Sequence, residues 1–372
     1  MPFAGFGPIS LGRFLAQGTK TMARLADRIG RVRYAAAQGA RVAWYMGHYL
    51  AARRLSRPFD RPGEPRFRPQ SAPGDQAKIR TAFLSLFAKD RANIEAGLYP
   101  APEDLRFDRL AAGLQHSAAF FKDLPTVDQR RWEKRGVEVR KEAPAGRYPT
   151  YYLQNFHYQS GGWLSEDSAE LYDTQVEVLF GGAADAMRRI ALGELAQALR
   201  GKDQRKTRVL DVACGNGRFL EQALSAFPKL KAMGLDLSPA YLGKARRRLQ
   251  AYPQVELIAG QAEAMPLEEG QVDLAACIYL FHELPPRVRP LVAAEIARVV
   301  APGGGLVLAD SLQLGDAPDL DQMLEYFPHG FHEPYYGSYL KEDLIGLFEA
   351  AGFVHERAEL AFLTKVLRFR RR

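Results

Sequence analysis

The sequence is poor in cysteine and has no long apolar run, and each absence excludes a class of protein. Only Cys214 and Cys277 occur among 372 residues, too few for a disulfide framework or a cysteine-based zinc site. We therefore expect a reduced, cytoplasmic compartment and no bound metal. No stretch of 18 apolar residues occurs, so we expect no membrane-spanning helix. The N-terminus also lacks the pattern of a secretory signal.

Acidic residues are scarce near the N-terminus. Residues 1–70 contain 13 Arg and Lys but only Asp27, Asp60 and Glu64, a local net charge of +10. The whole chain has 51 Arg and Lys against 43 acids, a net charge of +8, so the other 302 residues carry about −2. A basic segment on a nearly neutral body disfavours a nucleic-acid substrate, because such an enzyme needs a basic surface around its site.

The chain divides into five segments by composition and periodicity. They are a basic amphipathic helical leader (1–57), a proline-rich linker (58–74), a helical cap region (75–147), an aromatic segment with a helix (148–204) and an α/β domain (205–372) with a lid-like insertion (311–339). In the leader, Leu25, Ile29 and Val32 share one helical face beside arginines. That face is expected to pack on the protein's own body, to contact a membrane surface or to belong to a targeting segment.

Strands and helices alternate from residue 205 onward. Buried strands are predicted at 208–213, 232–235, 255–259, 272–278 and 305–309, with two more near 353–357 and 360–369. This alternation predicts an α/β fold, a Rossmann-like and mostly parallel seven-stranded sheet with helices on both faces, plus an N-terminal helical extension.

A glycine-containing loop follows the first of these strands. Residues 213–217 read Ala-Cys-Gly-Asn-Gly and lead into a helix, so a ligand can approach the backbone closely and meet free N–H groups. Asp211 at the strand end would repel a pyrophosphate but can accept hydrogen bonds from an ammonium group. Leu220 stands where the nicotinamide fingerprint needs its third glycine, and Asp236 stands where nucleotide-binding Rossmann units hold ribose hydroxyls.

Five segments resemble, in order, the motifs of the class I S-adenosylmethionine-dependent methyltransferases: residues 209–219, 234–238, 260–267, 272–283 and 291–305. The chain is most similar to the subgroup that C-methylates quinones and related lipophilic rings. The resemblance covers about residues 205–310 well and 340–372 in outline, and it leaves out residues 1–200. One departure is Ala213, where the family often has glycine.

The resemblance implies S-adenosyl-L-methionine as cofactor and S-adenosyl-L-homocysteine as product. It assigns the methionine part to Asp211, Gly215 and Gly217, the ribose hydroxyls to Asp236, and the adenine to the neighbourhood of Glu263. The full set of cofactor-binding residues expected in this way is Asp211, Ala213, Cys214, Gly215, Gly217, Asp236, Leu237, Ala262, Glu263 and Tyr279.

Two ring-rich segments are expected to enclose the acceptor. Six of the 16 residues from 148 to 163 are aromatic, and the insertion 311–339 is also rich in rings. Both lie where loops meet the carboxyl ends of the strands, the ligand-binding edge of such sheets. The expected substrate-binding residues are Tyr151, Tyr152, Asn155, Phe331, Tyr335 and Tyr339. A general base is needed only for a neutral hydroxyl, amine or carbon acid, and the candidates are His282, Glu283, His157 and His332.

The sequence thus predicts an enzyme (EC 2.1.1.-) that transfers a methyl group by in-line displacement to a lipophilic or aromatic small molecule. The reaction is expected in the cytoplasm, with a peripheral position at a membrane surface as a variant. Two alternatives stay open: an RNA or protein methyltransferase, and a non-catalytic S-adenosylmethionine-binding subunit. Against a base-methylating enzyme, residues 279–282 read Tyr-Leu-Phe-His instead of an Asn-Pro-Pro-Tyr type motif. The acceptor atom and the oligomeric state stay open.

Overall fold

The computed structural model describes the backbone of residues 9–61, 63, 65–102 and 107–372. Side chains are described for residues 28–61, 63, 65–102 and 111–372. The side chain of Leu25, which we placed on the apolar face of the leader, lies outside the described residues.

Seven strands form one sheet in the order β3-β2-β1-β4-β5-β7-β6. Strands β1 to β5 are parallel, and β7 pairs antiparallel with both β5 and β6. The predicted Rossmann-like, mostly parallel sheet is therefore confirmed. Their bounds are β1 (Arg208–Val212), β2 (Lys231–Asp236), β3 (Glu256–Ala259), β4 (Val272–Ile278), β5 (Val300–Ser311), β6 (Phe353–Ala361) and β7 (Thr364–Arg371).

Helices cover the sheet and extend to the N-terminal side. Those among the described residues are α1 (Ile9–Leu55), α2 (Gln76–Glu95), α3 (Phe107–Trp132), α4 (Glu166–Leu179), α5 (Ala184–Ala198), α6 (Arg218–Ala226), α7 (Pro239–Arg248), α8 (Arg289–Val299), α9 (Asp321–Gly330), α10 (Tyr336–Tyr339) and α11 (Leu344–Ala350). Ser165 caps α4, since its hydroxyl accepts from the Ser168 N–H at 3.1 Å. Chain order reverses between β1 and β4, which marks the ligand-binding crevice in such sheets.

The leader is one long helix that packs on the body over part of its length. Arg41 contacts the carboxylates of Glu177 at 2.7 Å and Asp185 at 3.0 Å, and Ala37 is buried. Other apolar side chains of the same helix stay exposed, among them Ile29, Val32, Trp44 and Leu50. No helix in the described part of the chain is both long and apolar enough to cross a bilayer.

The proline-rich segment lies against the insertion instead of running free. Phe67 stacks on His329 at 4.8 Å between ring centroids, and the backbone N–H groups of Gln70 and Ser71 donate to Glu325 at 2.7 and 3.1 Å. The insertion itself, which we expected to be a long loop, contains the helices α9 and α10. Prolines predicted the absence of regular structure here, but not that the segment has a packing partner.

Candidate active site

The carboxyl end of β1 carries a buried acid that has no partner. Asp211 is 1% exposed, and neither of its carboxylate oxygens has a hydrogen bond among the described residues. Burial raises the pKa of Asp211 well above its usual value, and the nearby Asp236 raises it further. A buried carboxyl group in this state suits a ligand that brings a cation, because the cation replaces the lost solvation.

The loop after β1 needs left-handed backbone. Ala213 has φ +58°, Gly215 +55° and Gly217 +78°. A Cβ atom on Gly217 would lie 3.1 Å from that of Ala245 on α7, so this glycine lets α6 and α7 approach each other. Positive φ at Ala213 explains why the family often has glycine at that position, since alanine tolerates it less well.

The second acid of the motif series is held by backbone groups. Asp236 accepts from the N–H of Gly215 and of Ser238, each at 2.8 Å. Burial raises the pKa of Asp236 to about 6, although these hydrogen bonds oppose the shift. The carboxylate therefore stands beside the glycine loop, where it can accept from ligand hydroxyls.

One cleft collects nearly all the predicted cofactor residues. They are Asp211, Ala213, Cys214, Gly215, Asp236, Leu237, Ala262, Glu263 and Tyr279; Gly217 lies behind the loop and does not line it. Aromatic side chains from outside the α/β domain cover the cleft, including Phe156 and Trp163. Tyr151 and Tyr152, predicted to bind the acceptor, also line this cleft, and the Tyr151 hydroxyl donates to Glu263 Oε1 at 2.5 Å.

Two arginines at the cleft were missed by sequence reasoning. Arg188 of α5 and Arg218 at the start of α6 both line it. Arg188 Nη1 lies 3.0 Å and Arg218 Nε 3.1 Å from the same Asp185 carboxylate oxygen. They line the same cleft as the orphaned Asp211, and this combination of charges fits a ligand with both an ammonium and a carboxylate group. No motif marks Arg188, because α5 lies outside the segments that carry the resemblance.

A second cavity of about 680 Å³, here called the inner chamber, adjoins the cleft. Tyr172, Tyr279 and Glu283 line both. His282 and Phe331 also line the inner chamber, as the acceptor prediction requires. Most of the remaining wall consists of apolar and aromatic side chains of α4, α9 and the loops near them, such as Val176, Leu179, Leu324 and Phe327.

His282 forms a buried pair with Asp310, an acid that sequence reasoning missed. His282 Nδ1 lies 2.7 Å from Asp310 Oδ1, and Asp310 also accepts from the N–H groups of Phe281 and Ser311, both at 2.7 Å. Burial alone would lower the pKa of His282, but the Asp310 carboxylate outweighs it and raises the pKa above its usual value. The position of Asp310 near the end of β5 is a sequence signal that could have revealed it, since that end borders the site.

Two further acids surround this pair. Glu283 Oε1 lies 3.9 Å from His282 Nε2, and burial raises the pKa of Glu283 well above its usual value. Glu333 is fully buried with Oε1 3.2 Å from His157 Nε2, and its pKa is raised for the same reason. Burial lowers the pKa of His157 to about 3, so its imidazole is neutral.

Four of the residues predicted to bind the acceptor or to act as base lie outside the cleft and the inner chamber. His332 Nε2 lies 2.9 Å from Gln154 Oε1. Asn155 Oδ1 accepts from the Val139 N–H at 3.0 Å. The Tyr339 hydroxyl donates to the Ser311 carbonyl at 2.5 Å. The Tyr335 hydroxyl donates to the Tyr151 carbonyl at 3.5 Å. Each of these side chains is engaged in holding the aromatic segment or the insertion in place.

Comparison with known proteins gives the family. A family model described as a methyltransferase domain matches residues 209–304. The chain is 31% identical over 210 residues to the ubiquinone/menaquinone biosynthesis C-methyltransferase UbiE of Methylobacterium nodulans, a match that covers 50% of this chain and 80% of the relative. It is 32% identical over 147 residues to the demethylmenaquinone methyltransferase of Renibacterium salmoninarum, covering 40% and 56%.

Solved structures match over about half of the chain. A SAM-dependent methyltransferase from Aquifex aeolicus has 20% identity and a TM-score of 0.37, and the match covers 48% of this chain and 88% of that one. The match to most of the Methylobacterium relative at 31% identity is the stronger finding. The chain therefore belongs to the class I S-adenosylmethionine-dependent methyltransferases, near the quinone C-methyltransferases.

Proposed function

We propose that the protein transfers a methyl group from S-adenosylmethionine to a lipophilic or aromatic small molecule, with His282 as general base. The observation that carries this proposal is the inner chamber, which meets the cofactor cleft at Tyr279 and Glu283 and is lined by His282 among aromatic rings, with Asp310 bonded to the other ring nitrogen. The cleft fits the cofactor because an unpaired Asp211 carboxyl lies in it beside two arginines.

The bound cofactor would supply an electrophilic methyl group on a positively charged sulfur. Asp211 would hold its ammonium group, Arg188 and Arg218 its carboxylate, and Asp236 its ribose hydroxyls. The aromatic wall formed by Phe156, Trp163 and their neighbours excludes water from the cleft.

On the acceptor side, His282 Nε2 takes the proton of a hydroxyl or acidic C–H group while Asp310 stabilises the resulting imidazolium. The electron pair that remains on the acceptor would then form the bond to the methyl carbon, and the electron pair of the broken carbon–sulfur bond would stay on the sulfur. A Glu283 carboxyl kept neutral by burial can donate to the same acceptor oxygen, since it lies 3.9 Å from Nε2. Because Glu283 Oε1 and His282 Nε2 are 3.9 Å apart, one acceptor oxygen can lie within about 2.8 Å of both atoms.

Replacing His282 by Gln tests the proposal directly. We expect kcat for conversion of S-adenosylmethionine to S-adenosylhomocysteine, with lipid extracts or aromatic alcohols as acceptors, to fall by about 10²–10⁴-fold. The Kd for S-adenosylmethionine should stay unchanged, because His282 does not line the cofactor cleft. His332→Gln is the matched control, since His332 lies outside both cavities.

A full rate in His282→Gln would refute the assigned base. Cofactor binding without turnover on any small molecule would favour a non-catalytic subunit, and turnover only on RNA or a protein would replace the acceptor class. We also propose peripheral contact with a membrane surface through the exposed apolar side chains of α1, which include Trp44 and Leu50.

A further inference from the structure

A third cavity of about 640 Å³, here called the outer chamber, continues from the inner one. Its wall comes from α1, α3, α4, α9 and the segments that follow α1 and α3, so none of it belongs to the matched methyltransferase domain at 209–304. The two chambers share side chains such as Tyr49, His157, Val176 and Phe331. The two cavities therefore adjoin, and the space they occupy together extends from Glu283 beside the cofactor cleft to the leader helix.

Polarity changes along this space. The inner end has the buried His282 and Glu283, and the middle is lined by apolar and aromatic side chains such as Val176, Leu179 and Phe331. The outer end is basic and is lined by four arginines: Arg53, Arg57, Arg66 and Arg131. An apolar middle between two polar ends fits a molecule with the same sequence of groups, and each chamber alone has the size of a typical ligand pocket.

The acids at the outer end are already engaged. Asp128 bonds Arg131 at 2.6 Å, Asp60 lies 3.3 Å from His329, and Asp123 accepts from the Ser160 hydroxyl at 2.7 Å. Arg53 and Arg66, by contrast, have no acid within 4 Å among the side chains that the structure describes. Both side chains are exposed at the rim of the cavity, where a guanidinium can bind a carboxylate or phosphate through charge-assisted hydrogen bonds.

We propose that the outer chamber binds the far part of an elongated acceptor, an amphiphile whose apolar chain runs between α1, α4 and α9 and whose far end is a carboxylate or phosphate held by Arg53 and Arg66. The methylated group then lies at His282. This inference rests on the proposed function, because it takes the inner chamber as the acceptor site. It also gives the N-terminal helices a role in choosing the substrate.

Binding of simple amphiphiles to the full chain, saturated with S-adenosylhomocysteine, tests the inference. Calorimetry with decanoate, decyl phosphate and decanol should show the two anions binding about tenfold or more tightly than the alcohol, since a charge-assisted contact is lost with decanol. Lengthening the chain from eight to twelve carbons should tighten binding by up to about fourfold per methylene.

Substitutions test where the anionic end of the ligand binds. The double variant Arg53→Gln with Arg66→Gln should weaken the binding of decanoate to the affinity of decanol, and it should leave the affinity for decanol unchanged. Arg54→Gln is the matched control, because Arg54 is exposed on the same helix and does not line the chamber. Leu179→Trp, which fills the shared part of the space, should weaken all three probes.

Several outcomes would overturn the inference. They are equal affinity for decanoate and decanol, an equal loss in Arg54→Gln, and anion dependence that appears only with phospholipid vesicles, which would assign the arginines to a membrane surface. If decanoate binds as expected but does not compete with a methylated acceptor, the chamber is a separate site and the proposed function stands. Absence of S-adenosylmethionine turnover, measured without any amphiphile, would instead refute the proposed function.

Discussion

At the scale of single residues, strained backbone is concentrated at the site. Ala213, His157 and Tyr279 all have φ between +53° and +60°, a conformation that costs an ordinary residue roughly 1–2 kcal/mol. Ala213 belongs to the cofactor loop, Tyr279 lies between the cleft and the inner chamber, and His157 lines both chambers. The surrounding packing holds these conformations, and all three residues line the cavities.

The His282–Asp310 pair predicts how the rate depends on pH. Only the neutral imidazole accepts a proton, and its pKa is raised above 6.5, so the rate should fall as pH decreases through that raised pKa. Asp310→Asn removes the opposing charge and leaves the burial, so the acidic limb should move to lower pH while kcat falls. A profile of kcat against pH for both proteins checks this.

If the acidic limb of the kcat profile kept its position in Asp310→Asn, a group other than His282 would be its origin. Asp316→Asn is a suitable control, because Asp316 pairs with Lys365 at 2.8 Å and lies outside the inner chamber. Its profile should match that of the unmodified protein.

Local motifs revealed only part of the candidate site. Asp211 and Asp236 could be predicted because each follows a strand within a short, recognisable pattern. Arg188 could not, since the fold alone brings it to the cleft, whereas Asp310 was missed although its place near the end of β5 is a usable signal. Tyr151 was predicted to bind the acceptor, but its hydroxyl bonds Glu263, 112 residues away, in the cofactor cleft.

At the scale of elements, the aromatic segment covers the cofactor cleft and is hydrogen-bonded to its wall at Tyr151 and at Trp163. The Tyr151 hydroxyl bonds Glu263 across the opening. Removing it with Tyr151→Phe should weaken S-adenosylhomocysteine binding by about three- to tenfold, the loss of roughly 1 kcal/mol that a typical hydrogen bond contributes. Calorimetric Kd values for the product would show the change.

The matched control for this contact is Tyr148→Phe. Tyr148 stacks on Tyr152 at 5.7 Å between ring centroids and lies outside the cleft lining. If both variants weakened product binding equally, the segment as a whole, and not this bond, would close the cleft.

Element types were easier to predict than their neighbours. Apolar periodicity indicated the strands and most helices, because burial on one face repeats along the chain. It could not show that the proline-rich segment packs on α9, a contact between residues about 255 positions apart. It also missed α9 itself, where Pro328 stands inside the helix and suggests a break.

At the scale of the whole molecule, the leader is tied to the cofactor loop by charge. Arg41 of α1 and Arg218 beside the glycine loop both contact the buried Asp185. The same helix lines both chambers through Tyr49. The described part of the leader is therefore built into the site as well as onto the surface.

The exposed side of α1 predicts binding to anionic vesicles. Trp44 and Leu50 are 42% and 51% exposed, and Arg53 and Arg54 lie on the following turn. Trp44→Glu with Leu50→Glu should reduce co-sedimentation with phosphatidylglycerol vesicles by at least tenfold, because apolar insertion is lost and the two new carboxylates are repelled by the anionic lipid. High salt should weaken binding of the unmodified protein.

An exposed leucine on another helix provides the comparison. Leu84 of α2 is 59% exposed, and Leu84→Glu should leave sedimentation unchanged. Equal binding of the α1 variant and the unmodified protein would mean that this face does not meet lipid.

Arg289 determines which part of the molecule can move during a catalytic cycle. Its fully buried side chain bonds the carbonyls of Phe281 and Tyr335 and the hydroxyl of Ser338. Arg289 thereby connects the turn that carries His282, the proposed base, to the second half of the insertion. We therefore expect the turn that carries His282 to keep its position when reactant and product exchange, and α9 with the proline-rich segment over it to be the part that is displaced.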